Sequence, residues 1–296
     1  MRKAFVNIVE KIFKKDKKVI LLLGDIGVFG FKNLFKKEAK RALNIGILEQ
    51  SMISFAAGLS KTGFIPIVHT IAPFIVNRAF EQLKIDFGYQ GLKGNFVTVG
   101  GSYDYSALGC THHCPEDINL ISNIPTFQII TPGNSHEFEQ LFLQSYNNSS
   151  PTYFRLSEEE NKQKFKVNLG KANLIQKGSS GIVITVGPVL NYILPFIHKY
   201  DINHIYYSTV KPFDYKTLKK IINKNKKILI IEPFYTGTIN SEIISNIDSE
   251  IQIKNISVPK KFINNYGSKK KNDEKLGFET KKIEKEIIKF FKIERK

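Results

Sequence analysis

Short, wholly apolar runs recur along this chain with room for a helix between each pair, and that pattern restricts the fold more than any other feature. Val19 to Leu23 is an unbroken aliphatic run, followed by Asn44 to Ile47, Ile65 to Thr70, Asn95 to Val99, Phe127 to Thr131 and Thr152 to Arg155. Strands with one solvated face alternate polar and apolar side chains. Continuous apolar runs separated by helices belong to parallel sheets covered on both faces. Helical spacing fills the gaps: Ala4, Phe5, Ile8, Val9, Ile12 and Phe13 share one face, and Ser51 to Ser60 and Phe74 to Tyr89 read as helices. These strands define an open α/β domain over residues 1–157. Residues 158–177, with Glu158-Glu159-Glu160 and Lys162-Gln163-Lys164, form a polar linker that has room for a strand. A second α/β unit over 178–296 places strands at Gly181 to Val186, Ile205 to Ser208, Lys227 to Ile231 and Ile251 to Ser257, with helices between them and a last amphipathic helix at Ile283 to Phe291. Gly267 to Lys275 reads as a charged loop. The expected fold class is two consecutive open α/β domains with mostly parallel sheets.

With 296 residues and 42% hydrophobic content, the chain can build both cores. Its net charge of +17, from 44 Lys and Arg against 27 Asp and Glu, raises a nucleic-acid partner. The lysines, however, are scattered among Ile and Asn, as in Lys14-Lys15-Asp16-Lys17-Lys18 and in 216–227, which suits solvated helix faces. No aromatic RNA-binding motif accompanies them. A membrane role is not expected either: Val19 to Leu23 is far too short to span a bilayer, and the first helix is amphipathic, unlike a signal peptide. Cys110 and Cys114 lack a wider disulfide framework, which points to a reducing cytoplasm. Zinc at Cys110-Thr111-His112-His113-Cys114 is disfavoured, because adjacent histidines between those thiols converge poorly on one tetrahedral ion. No metal ligand is assigned.

The residues with chemical potential lie between Asn44 and Asp117. Glu49 follows Gly46-Ile47-Leu48 and opens a helix; on this run alone it is equally a helix N-terminal carboxylate favoured by the dipole. Phe74 ends Thr70-Ile71-Ala72-Pro73-Phe74, and an aromatic at that spacing is usually core. Arg78-Ala79-Phe80-Glu81-Gln82 and Thr111-His112-His113 follow. A His-His pair is also consistent with an ordinary polar loop.

In this order and spacing, the stretches resemble the pyrimidine-binding half of transketolase, a thiamine diphosphate enzyme. Glu49 matches the glutamate of its Gly-Ile-x-Glu pattern, Phe74 the stacking phenylalanine of Thr-Phe-x-x-Phe, and Thr111-His112 the end of its substrate loop. Farther on, Val210-Lys211-Pro212-Phe213-Asp214, Ile231-Glu232-Pro233 and Thr236-Gly237-Thr238-Ile239 resemble the family's third domain. The resemblance implies that Glu49 hydrogen-bonds the cofactor's N1′ and activates it, with Phe74, Ile47 and Asp25 as further cofactor contacts. It implies His112 as the group handling substrate hydroxyls and carbonyl, and Arg2 at a position where the family uses arginine to bind substrate; in the loop that departs from the family, Tyr103, Asp104, Tyr105 and His113 offer a different set of substrate-binding groups. For Arg78 it implies packing between subunits.

Several positions depart from the family. Gly100 stands where it has a histidine, Leu108 where it has an aspartate, Phe29 close to its phosphate-binding serine, and Glu158 where it has a phosphate-binding arginine. An acidic residue repels a sugar phosphate, so the expected substrate is unphosphorylated or nucleotide-linked. Gly24-Asp25-Ile26-Gly27 does not complete the Gly-Asp-Gly…Asn motif that holds diphosphate and Mg²⁺. A partner, the N-terminal transketolase subunit carrying that domain, is therefore implied, in an α2β2 heterotetramer. The expected activity is transfer of a two-carbon ketol unit from a ketose to an aldehyde. Two alternatives stay open: an α-keto-acid-using subunit similar to deoxyxylulose phosphate synthase or E1β, and a non-catalytic regulatory subunit.

Overall fold

The computed structural model describes residues 1–222, 226–247, 250–264 and 266–294. Part of the lysine-rich run 216–227, at 223–225, lies outside the described residues. The strands are β1 (Val19–Leu23), β2 (Ala42–Asn44), β3 (Ile65–Ile71), β4 (Gly94–Val99), β5 (Gln128–Ile130), β6 (Pro151–Arg155), β7 (Asn173–Gln176), β8 (Ile182–Val186), β9 (Asn203–Tyr207), β10 (Thr209–Lys211), β11 (Lys227–Tyr235) and β12 (Gln252–Val258). The first sheet runs β10-β5-β6-β4-β3-β1-β2 and the second β12-β11-β8-β9-β7. Pairing is parallel except at one edge of each sheet, where β10 lies antiparallel to β5 and β7 antiparallel to β9. The fold is thus the expected pair of mostly parallel α/β units.

Burial shows why the strand sequences lack polar alternation. Ile20 and Leu22 of β1 pack with Met52, Ile53 and Phe87 on one face; Leu21 and Leu23 pack with Phe5, Val9, Phe138 and Phe142 on the other. Every residue of β1, β3, β4 and β6 is buried. At about 1.5–3 kcal/mol for each large apolar side chain, these two layers drive the domain together.

Five local expectations are corrected. The second strand is Ala42–Asn44, ending before Gly46 turns the chain at φ +81°. The helix expected over Phe74 to Tyr89 is broken: Ala72–Val76 is one helix, Phe80–Gln82 a single turn, and Leu83–Tyr89 a π-helix. In that π-turn Gly88 packs so closely that a Cβ would stand 2.4 Å from Ile124 Cγ2. The charged stretch after Gly267 is helical over Lys269–Leu276, begun by Ser268, whose Oγ accepts from the Lys271 amide, and ended by Gly277 at φ +88°. The connection from β8 to β9 contains 3₁₀ turns, Gly187–Tyr192 and Ile197–Lys199. Finally, β10 follows the second unit's β9 in the chain yet completes the first sheet, so the units share a hydrogen-bonded edge.

The linker is pinned as well. Glu160 accepts from the Ser135 amide and hydroxyl, both at 2.7 Å, and from the Met1 ammonium. Among the described residues no helix is long and apolar enough to cross a membrane.

Candidate active site

The chain leaves β1, β2, β3, β4 and β6 on the same side of the first sheet, at the carboxyl ends where open α/β sheets bind ligands. Gly24-Asp25, Gly46 to Glu49, Ala72 to Phe74, the loop after Gly100 and Leu156 to Glu158 all emerge there.

Glu49 is fully buried in the first turn of the helix Glu49–Lys61. Arg78 Nη1 donates to its Oε2 at 2.7 Å, a charge-assisted bond, while Oε1 is buried with no partner. An unsatisfied buried acceptor costs about 1–3 kcal/mol and more when charged, so the geometry favours a donor arriving from outside the chain. The Arg78 guanidinium also lies over the Phe74 ring, 4.4 Å from its centroid. The break after Val76 permits both contacts by drawing the Arg78 amide back to the Pro73 carbonyl at 3.2 Å. Arg78 therefore contacts both Glu49 and Phe74, in addition to the packing role implied by resemblance.

Phe74 meets His112 edge-on at 5.4 Å, and His112 meets Tyr105 edge-on at 6.5 Å. Thr111 Oγ1 lies 3.0 Å from His112 Nδ1. Phe74, Arg78 and the buried His113 line a cleft of about 510 Å³, to which the second domain adds Tyr235 and Phe262. Both ring nitrogens of His113 lack a partner, and burial, then the neighbouring His112, lowers its pKa. A second cleft, about 950 Å³, is lined by Arg2, Asp25, Phe29, His69, Tyr105 and Glu158. Arg2 Nη2 donates to the Tyr105 hydroxyl.

The structure thus brings Glu49, Phe74, His112 and His113 together, and gathers Arg2 and Asp25 in the second cleft. Asp25, at φ +64°, is tied to Asn44: its amide donates to Asn44 Oδ1 at 3.0 Å, and Asn44 Nδ2 returns a bond of 3.1 Å to Oδ1. Ile47 projects into solvent. Tyr103 and Asp104 join neither open cleft. The Tyr103 hydroxyl donates to Asp273 at 2.6 Å, and Asp104 accepts from Ser157 Oγ at 3.2 Å and the Glu158 amide at 3.1 Å. Both stand at the junction with the second domain, around a space of about 20 Å³ that holds little more than a water. Burial pushes Asp104 up to about 6. Of the two thiols, Cys110 is exposed and Cys114 is buried, donating to Asn77 Oδ1 at 3.1 Å.

Among these residues, the sequence reading does not single out His69, and it gives Arg78 no chemical role. For Arg78 a signal exists, its helical i, i+4 spacing from Phe74. Around Glu49 the surface is unusually apolar: Leu48, Phe55, Ile85 and Tyr89 are all exposed. Their two elements are held together by Ser54 Oγ, which donates to Asp86 at 2.6 Å.

Comparison with known proteins identifies the family. The family described as "Transketolase, pyrimidine binding domain" matches residues 1–163. An uncharacterised 33.6 kDa protein in the fasciation locus of Rhodococcoides fascians is 32% identical over 248 residues, 83% of this chain and 80% of that one. A subunit of the apulose-4-phosphate transketolase of Actinobacillus succinogenes is 25% identical over 232 residues, 74% of this chain and 75% of that one. A solved split-gene transketolase, described as an inactive β4 tetramer, superposes with a TM-score of 0.84 at 20% identity, covering 99% of this chain and 98% of that one. The chain belongs to the transketolase family, and its two domains follow the C-terminal-half subunit of a split transketolase.

Proposed function

We propose that this chain supplies the pyrimidine-side half of a thiamine diphosphate-dependent transketolase-like active site and works only with a partner chain that holds the diphosphate and Mg²⁺. The observation that carries this reading is Glu49: a buried carboxylate with one oxygen fixed by Arg78 and the other bare. Such a group suits a flat heterocycle presenting a ring nitrogen to Oε1, with Phe74 and Arg78 as the adjoining wall. When bound, thiamine diphosphate supplies the carbon that carries a two-carbon ketol unit from a ketose to an aldehyde. Glu49 holds the proton shared with the ring nitrogen, and Arg78 keeps the carboxylate from turning away. His112, edge-on to Phe74, orients substrate hydroxyls and the carbonyl, with neutral His113 behind it.

The exposed apolar surface of Leu48, Phe55, Ile85 and Tyr89 beside Glu49 supports a partner seated over the site, in an α2β2 assembly. The split-gene relative described as inactive in a β4 tetramer fits the same dependence. A relative named for apulose-4-phosphate supports a sugar outside the usual transketolase substrates; Glu158 beside Arg2 favours an unphosphorylated or nucleotide-linked one. Free thiols at Cys110 and Cys114 suit the cytoplasm.

Calorimetry of thiamine diphosphate with Mg²⁺ tests the reading. Tight binding is expected only when the chain is mixed with a partner carrying Gly-Asp-Gly and Asn, and it is lost in Glu49→Ala. Binding by the mixture that survives Glu49→Ala, or tight binding by the chain alone, overturns it.

A further inference from the structure

Tyr105 lines the larger cleft, and its ring meets edge-on that of His112, whose neighbours Thr111 and His113 line the smaller one. Two residues fix it there. Gly100, at φ +75°, lies under the ring, where a Cβ would stand 2.5 Å from Tyr105 Cε2. Arg2 holds the phenol oxygen. A side chain at position 100 and the tyrosine ring cannot both occupy this space, so Tyr105 replaces whatever a larger residue there would present.

The chemistry of the larger cleft is uncharged on balance. Arg2 and Lys3 face Asp25 and Glu158, two cations against two carboxylates, and Arg2 is already engaged by Tyr105. A phosphoryl group calls for convergent cations or amide N–H groups without competing carboxylates. The lining offers instead aliphatic surface from Val28, Ile71 and Leu108, and, beside the Asn7 amide, two further uncharged polar groups. One is the Tyr105 hydroxyl. The other is His69, on the floor. Its Nδ1 lies 2.7 Å from the Val97 carbonyl, which only accepts, so Nδ1 carries the proton and Nε2 is a bare acceptor, buried and without a partner. Burial holds the His69 pKa down at about 4, which keeps that acceptor free of a proton at neutral pH.

We propose that the larger cleft receives the far end of the sugar, that it selects an uncharged terminus with a hydroxyl beside a deoxygenated carbon over a phosphorylated one, and that Tyr105 and His69 are its recognition groups. The assignment rests on the transketolase-like reading of the neighbouring cleft. That cleft holds the reacting end, and the ring contacts from Phe74 through His112 to Tyr105 run from it to the larger one.

The test uses two probes that differ at the terminus, 5-deoxyxylulose and xylulose 5-phosphate, with the chain reconstituted with its diphosphate-binding partner. A kcat/KM preference for the deoxy ketose of about tenfold or more is expected, since a phosphate would meet the Asp25 and Glu158 carboxylates with no free excess of cations to offset them. Glu158→Arg is expected to move the ratio toward the phosphorylated sugar by about tenfold. Tyr105→Phe, which keeps the ring, is expected to raise KM for the deoxy ketose about three- to tenfold with kcat little changed, the loss of one hydrogen bond. Preference for xylulose 5-phosphate in the unaltered protein overturns the proposal. If the complex transfers no ketol unit from either probe, the catalytic reading fails, and saturation-transfer NMR of the full chain with 5-deoxyxylulose decides the pocket by itself. A signal weakened in Tyr105→Phe supports it, and no signal, or one unchanged by that substitution, overturns it.

Discussion

Asp117 and Glu49 are both fully buried carboxylates that accept from an arginine, at 2.6 Å from Arg155 and 2.7 Å from Arg78. The likeness ends there. Asp117 Oδ2 also accepts from the Tyr153 hydroxyl at 3.0 Å, and Oδ1 takes the Ile118 amide at 2.8 Å. Its arginine is buried too, and Arg155 Nη2 donates to the Pro233 carbonyl of the second domain at 3.1 Å. Glu49 has a bare Oε1 and a partner whose side chain is 39% exposed. The same pair of residue types therefore closes a domain junction in one place and leaves a carboxylate oxygen without a donor in the other. Between the two carboxylates the distinguishing quantity is hydrogen-bond satisfaction, since both are fully buried and both face an arginine.

Breaking the satisfied pair should have the largest consequence. Arg155→Met strands a buried carboxylate and removes the bond to Pro233, so the unfolding free energy should fall by about 3–5 kcal/mol in urea denaturation. A loss below about 1 kcal/mol would mean that the junction is held by its apolar contacts alone.

A third buried carboxylate sharpens the contrast through pH. Glu232 accepts from the Gly237 amide at 3.1 Å, the Ile239 amide at 3.4 Å and Asn255 Nδ2 at 3.1 Å, and no cation appears among these donors. Burial pushes it up to about 8 against the pull of those bonds. The folded chain then keeps a proton that the unfolded chain releases above the ordinary value of 4.5, so stability falls as pH rises from there through about 8. Glu137, raised to about 7 by burial, adds to that slope. His204 and His69, held down by burial to about 3 and about 4, act in the opposite sense: their contribution is present above the ordinary value of 6.5 and lost as pH falls. Glu232→Gln should flatten the decline between about pH 5 and about pH 8 in thermal unfolding midpoints; an unchanged slope would assign the decline to other groups.

Much of this was legible in the sequence, for reasons these three carboxylates illustrate. Periodicity located the first-domain strands because both faces of that sheet are covered, and Gly46 with Glu49 marked a turn into a helix. What periodicity cannot carry is pairing across the fold. Arg78 reaches Glu49 over 29 positions, and Tyr103 reaches Asp273 over 170. Tyr103 and Asp104 sit in a loop whose sequence offers them to substrate, yet they are buried at the junction with the second domain. The helix Lys269–Leu276 did have local signals, Ser268 at its start and Gly277 at its end, which its many charges obscured. Strand β10 crossing to the first sheet left no trace in composition, because a three-residue edge strand is too short to show a period.

The smallest expected effect on stability belongs to the residue with the largest expected effect on function. Glu49→Gln removes one charge of an ion pair whose arginine is partly solvated, so Arg78 regains water in place of the carboxylate. It also gives the helix start an uncharged side chain of the same shape, and relieves a buried carboxylate oxygen that has no donor. These terms oppose one another, and the net change in unfolding free energy should stay within about 1 kcal/mol. Urea denaturation of Glu49→Gln beside Arg155→Met makes the comparison direct. Near-equal losses would place Glu49 with Asp117 as part of the scaffold, and the bare oxygen would lose its meaning as a ligand position. A difference of about 2 kcal/mol or more would leave Glu49 as a group kept at a small cost in stability for something the chain itself does not contain.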